Sequence, residues 1–78
     1  MENPKIKGKM IEIVENQLKE NFPKCTKETY DRLMDAGNSA EDSKLKIAGI
    51  LVIEMYDMMK NQQPFNEERY AEGLAELT

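Results

Sequence analysis

Apolar residues gather in four stretches of the chain, and the longest runs from Leu45 to Lys60, LKIAGILVIEMYDMMK. It is too short and too charged to cross a bilayer, which takes about 20 mostly apolar residues. Read at about 100° per residue, Leu45, Ala48, Leu51, Val52, Met55, Tyr56 and Met59 share one broad helical arc. Ile47 and Met58 widen that arc, while Lys46, Glu54, Asp57 and Lys60 mark the opposite side. An arc this wide implies more than one neighbouring helix, so this element is expected at the centre, with Val52 and Met55 in the core. Ile50 and Ile53 fall instead on the side of Lys46 and Asp57. Either a terminal helix covers them, which is the expectation, or Lys46, Ile50, Ile53 and Asp57 form a patch for a partner or a second copy.

The other three stretches carry helix punctuation. Asn3-Pro4 suits the start of a first helix, since Asn caps and Pro fits the first helical position. Ile6, Met10, Ile13, Val14, Gln17 and Leu18 then share a face, with Ile11 beside it. Pro23 disfavours helical geometry at Phe22, so this helix should end near Asn21, with Phe22 dropping into the core. Thr26 is expected to cap a second helix whose short buried face is Tyr30, Leu33 and Met34, with Cys25 and Tyr30 forming a hydrophobic staple. Gly37 supplies a left-handed stop, and Ser39 with Asp42 makes a capping box for the central helix. After the polar break Asn61-Gln62-Gln63-Pro64, Asn66 caps a last helix, Phe65 and Tyr70 are spaced for a staple, and Tyr70, Leu74 and Leu77 form its apolar face. The expected architecture is an all-α bundle in a single domain, with helices at about 4–21, 27–36, 40–61 and 67–76.

Composition narrows the class. Seventy-eight residues with 40% apolar and 33% charged side chains fit one small globular domain rather than a disordered tail. A single cysteine excludes an internal disulfide framework, and the opening MENPKIKGK lacks the apolar segment of a secretory signal, so the cytoplasm is the expected compartment. Charge is uneven. Residues 1–27 carry six Lys against four Glu, a balance of +2, whereas residues 28–78 carry five basic against eleven acidic side chains, a balance of −6. The basic segment is expected to be neutralised by the acidic body within the monomer. An acidic body also opposes the phosphate attraction that dominates nucleic-acid affinity.

Candidate chemistry is sparse. The chain has no histidine, which removes the commonest general base and the commonest metal ligand together. Cys25 sits near a helix start between Lys24 and Lys27, a setting that can favour thiolate, but no base accompanies it. Glu68, Glu72 and Glu76 repeat every four residues without the Glu-x-x-His element of carboxylate-bridged metal sites, so the strip is expected to be solvated. The oxygen-rich turn Asp35–Asp42 places its glycine third rather than sixth, unlike a calcium loop. The Tyr30–Leu45 unit has helix–turn–helix geometry, yet Glu41 and Asp42 occupy the surface that would meet base edges.

Asn16-Gln17, Pro23, Thr26, Thr29-Tyr30, Arg32-Leu33, Gly37, Glu54-Met55-Tyr56 and Phe65-Asn66-Glu67-Glu68-Arg69-Tyr70 occur in an order that resembles a family of small uncharacterised all-helical proteins of bacteria and archaea, a domain of unknown function. The resemblance runs from about Val14 onward and implies a helical fold, with no activity attached. The expected function is accordingly a non-enzymatic helical module that works through contacts with another protein or with itself. It is expected to use no cofactor or metal and to have no membrane partner, and nucleic acid is not an expected partner. The alternative is a small nucleic-acid-associated regulator acting through Lys5, Lys7, Lys9 and Lys24 of the basic N-terminal segment.

Overall fold

A computed structural model of the chain describes residues 4–78, with side chains from Lys7 onward. Ile6 and Lys5, named above for the first apolar face and the basic segment, and the Asn3 cap lie outside those described side chains. Four helices follow in order: α1 (Pro4–Glu20), α2 (Lys24–Asp35), α3 (Ala40–Asn61) and α4 (Glu67–Ala75), with no strand among the described residues. The protein is an all-α bundle built around its third helix. α3 packs against each of the other three and α2 also touches all its neighbours, whereas α1 and α4 meet through the side chains of Gln17 and Tyr70. Val14, Leu33, Ile47, Ala48, Leu51, Tyr70 and Leu74 form the buried apolar cluster, so every helix contributes.

The helix ends explain the turns. Ser39 accepts a hydrogen bond from the Asp42 amide at 3.0 Å, and Asn66 accepts one from the Arg69 amide at 2.9 Å, each satisfying a donor the helix cannot. Phe65 and Tyr70 meet edge to face at 5.3 Å between ring centres, closing the staple at the head of α4. Gly37 takes φ 101° after α2, and the Asn38 amide reaches back to the Leu33 carbonyl at 3.1 Å. Asn21 and Gln62 adopt left-handed φ values of 54° and 52°, stopping α1 and α3 without glycine.

The start of α2 differs from expectation. The helix begins at Lys24, directly after Pro23, and no side chain caps it. The Pro23 carbonyl accepts from the Thr26 amide at 3.1 Å, so the first turn closes on the backbone and frees the Thr26 side chain for the interior. Pro23 is buried and Phe22 is exposed, the reverse of a Phe22 core anchor. The left-handed turn at Asn21 swings the chain so that the proline, not the ring, faces inward. On α2 the buried set is Thr26, Thr29 and Leu33, with Tyr30 half-buried and Met34 exposed.

The largest correction concerns α3. Its buried residues are Ser43, Ile47, Ala48, Leu51 and Glu54, while Val52 is 40%, Tyr56 64% and Met59 79% exposed. Met55 is half-buried. The helix is therefore turned by roughly one residue, about 100°, from the orientation its apolar content suggests. Two causes are visible. Ser43 and Ala48 are small enough to let neighbouring helices approach closely. Glu54, which looks like a solvent residue, is matched by Arg69 and so can lie inside.

Candidate functional site

Polar groups inside a small bundle are the first candidates for chemistry, because burying them without partners is costly. Thr26 Oγ1 donates to Gln17 Oε1 at 2.7 Å, and Tyr70 Oη donates to the same oxygen at 3.1 Å, with the two hydroxyls 3.1 Å apart. This cluster joins α1, α2 and α4. Burial pushes the Tyr70 phenol up to about 12, the hydrogen bond with Thr26 offsetting part of the rise. Such a phenol stays protonated and acts as a donor, not as a base. Ser43 Oγ is buried without a hydrogen-bond partner.

Cys25 stands beside this cluster, half-buried. Burial first, and the nearby Glu67 carboxylate second, raise its thiol above the ordinary value, outweighing hydrogen bonds that lower it. The flanking Lys24 and Lys27 do not make it a thiolate, and Lys27 is held by Asp31 at 2.7 Å. Cys25 packs against the buried apolar cluster.

The charged groups of the α3–α4 seam are also engaged. Arg69 Nε donates to Glu54 Oε1 and Arg69 Nη2 to Asp57 Oδ2, both at 2.9 Å. The bond to Glu54 raises the guanidinium further above its already high value. Lys46 Nζ donates to Asn38 Oδ1 and to the Thr78 carbonyl, each at 2.6 Å. Arg32 from α2 donates to the Leu74 carbonyl at 2.8 Å and the Leu77 carbonyl at 2.6 Å, satisfying the tail of α4. The expected patch of Lys46, Ile50, Ile53 and Asp57 is thus divided. Ile50 is half-buried, its Cγ2 filling the space beside Gly73 of α4, while Ile53 is exposed and both charges are held within the chain.

Charge neutralisation inside the monomer follows the expected pattern at Lys27, which pairs with Asp31 of the acidic body, but not along α1. Among the described residues, α1 joins the rest of the chain by one ion pair, Glu15 with Lys44 at 3.1 Å, and there α1 supplies the acid. Lys7 and Lys9 are exposed and enter no ion pair among those residues.

The surface left over is apolar and lies on the outer side of α3. Val52, Tyr56 and Met59 succeed one another at helical spacing, with exposed Gly49 above them and half-buried Leu45 above that. Beside this stripe an open groove of about 430 Å³ runs between α1, the Phe22–Pro23 turn and α3, lined by Ile13, Phe22, Met55, Met58 and Phe65. Glu67 stands at one end of it. The apolar pattern of the sequence places Val52, Tyr56 and Met59 in the core, because α3 is apolar on two sides and periodicity alone does not say which side is covered. The mid-helix Gly49, which no neighbour in the monomer requires, was the available signal.

Among the described residues no group of His, Cys, Asp and Glu is arranged to hold a metal ion, and no helix is long and apolar enough to cross a membrane. Compared with family models, with curated proteins and with solved structures, the chain finds no match.

Proposed function

We propose that this protein is a non-enzymatic interaction module whose contact surface is the outer face of α3 with the adjoining groove. The observation that carries the reading is the exposed run Val52, Tyr56 and Met59 on the central helix. A helix apolar on two sides is normally buried on both, and here the chain itself covers only one. Interfaces are enriched in aromatic and Met side chains, and flexible Met residues such as Met55, Met58 and Met59 adapt to a partner's shape. The polar groups, by contrast, are spent on structure: Gln17, Thr26 and Tyr70 hold each other, and Glu54 holds Arg69.

The test is position-specific cross-linking in host cells. A photoreactive residue replacing Met59 should give a discrete adduct, while one replacing Glu28, exposed on α2, should not. Equal labelling from the two positions, or none from Met59, would remove the reading.

A further inference from the structure

From the outer face of α3 we infer that the partner is a second copy of this chain, joined through two antiparallel α3 helices. This deepens the proposed function and rests on it. The residues of the face, Asp42, Leu45, Gly49, Val52, Tyr56 and Met59, follow alternate spacings of three and four, the seam of a two-helix contact. At 1.5 Å per residue the seam is about 25 Å long.

Three features select a second copy in antiparallel order. The first is size. When the face meets itself head to tail, Gly49 lies opposite Val52 and Leu45 opposite Tyr56, so each small residue meets a larger one. A parallel pair would set Gly49 against Gly49 and Tyr56 against Tyr56, leaving a gap and a clash.

The second feature is charge. Glu41 and Asp42 stand at the head of the seam and Lys60 at its foot, all exposed and none in an ion pair among the described residues. Antiparallel pairing brings the acidic head of one copy beside the lysine foot of the other, twice by symmetry. Parallel pairing would oppose like charges at both ends.

The third feature is Gly49 itself. Its position is open in the monomer, with nothing within 4 Å of where a Cβ would stand, and its φ does not demand glycine. A mid-helix glycine costs stability relative to Ala. Close approach of a second helix backbone accounts for it.

The experiment is sedimentation equilibrium from low micromolar to millimolar chain. The mass should rise from 9.0 kDa to twice that value. Tyr56→Lys, at an exposed site, should melt as the parent does and weaken association at least about 30-fold, as expected of an interface hot spot. Orientation is read in a Cys25→Ser background. Asp42→Cys mixed with Met59→Cys should form a disulfide-linked pair on air oxidation, and neither variant alone should do so efficiently. Self-linking of Met59→Cys alone would overturn the antiparallel order, and a dimer indifferent to Tyr56→Lys would overturn the face. A chain that stays at 9.0 kDa throughout would overturn the second copy. If cross-linking from Met59 then captured a different protein, the interaction reading would survive that loss, and if it captured nothing both would fall.

Discussion

The orientation of α3 can be decided by comparing two adjacent residues, Leu51→Ala and Val52→Ala. Leu51 is 3% exposed within the apolar cluster, so its truncation should cost about 2–5 kcal/mol, combining lost burial with the cavity left behind. Val52 is a different case. Removing two methyl-sized groups from a fully buried site would cost about 1.6 kcal/mol, at about 0.8 kcal/mol for each. At 40% exposure about 1 kcal/mol remains, and the better helix propensity of Ala returns about 0.5 kcal/mol. The net loss at Val52 should be near 0.5 kcal/mol. A chain of 78 residues has a total stability of roughly 4–12 kcal/mol, so Leu51→Ala removes a large share and Val52→Ala very little. Urea unfolding followed by circular dichroism, at a concentration low enough to keep the chain monomeric, measures both. Equal losses, or a larger one at Val52, would mean that α3 is turned about 100° from the described orientation, and the outer face would disappear with it.

Other outcomes follow from single contacts. The Tyr70 phenol, ordinarily near 10, is raised to about 12 in the fold, so the stability it confers is complete below about pH 10 and is lost as pH rises towards about 12. The loss should approach roughly 2 kcal/mol in urea titrations, and Tyr70→Phe should lose less over the same interval. Ser43→Ala removes a buried hydroxyl without a partner and should stabilise the protein by about 1 kcal/mol; a destabilised variant would mean the hydroxyl is satisfied. Two glycines should respond oppositely in thermal melts of the monomer. Gly73→Ala sets a Cβ 2.9 Å from Ile50 Cγ2 and should cost about 1–3 kcal/mol, whereas Gly49→Ala meets nothing and should add up to about 1 kcal/mol.

Helix number and most boundaries were legible in the sequence because local chemistry sets them. Ser39, Asn66, Gly37 and the Phe65–Tyr70 pair act within a few residues of themselves, and each does what its type and spacing imply. The expected span 40–61 coincides with α3. Which way α3 faces was not legible, since that depends on partners distant in sequence. Glu54 looks solvated until Arg69, fifteen residues on, is seen to neutralise it. Thr26 looks like a cap until its hydroxyl is seen to donate to Gln17 and to lie beside Tyr70. A helix apolar on two sides also offers no single apolar side to choose, so periodicity cannot tell the exposed surface of α3 from its core.

The reach of Arg32 to the tail of α4 has a consequence for how the molecule opens. α4 has nine residues and α2 twelve, and in water helices of these lengths are marginal alone. They are fastened at both ends of α4: the Tyr70 hydroxyl meets Thr26 of α2 near its head, and Arg32 of α2 meets the Leu74 and Leu77 carbonyls at its foot. Releasing α4 takes the Tyr70 hydroxyl from beside Thr26, which keeps Gln17, and removes both carbonyl acceptors of the Arg32 guanidinium in one event. The two short helices are therefore expected to open together, and native-state hydrogen exchange should report a common opening free energy for their interior amides, below that of α3.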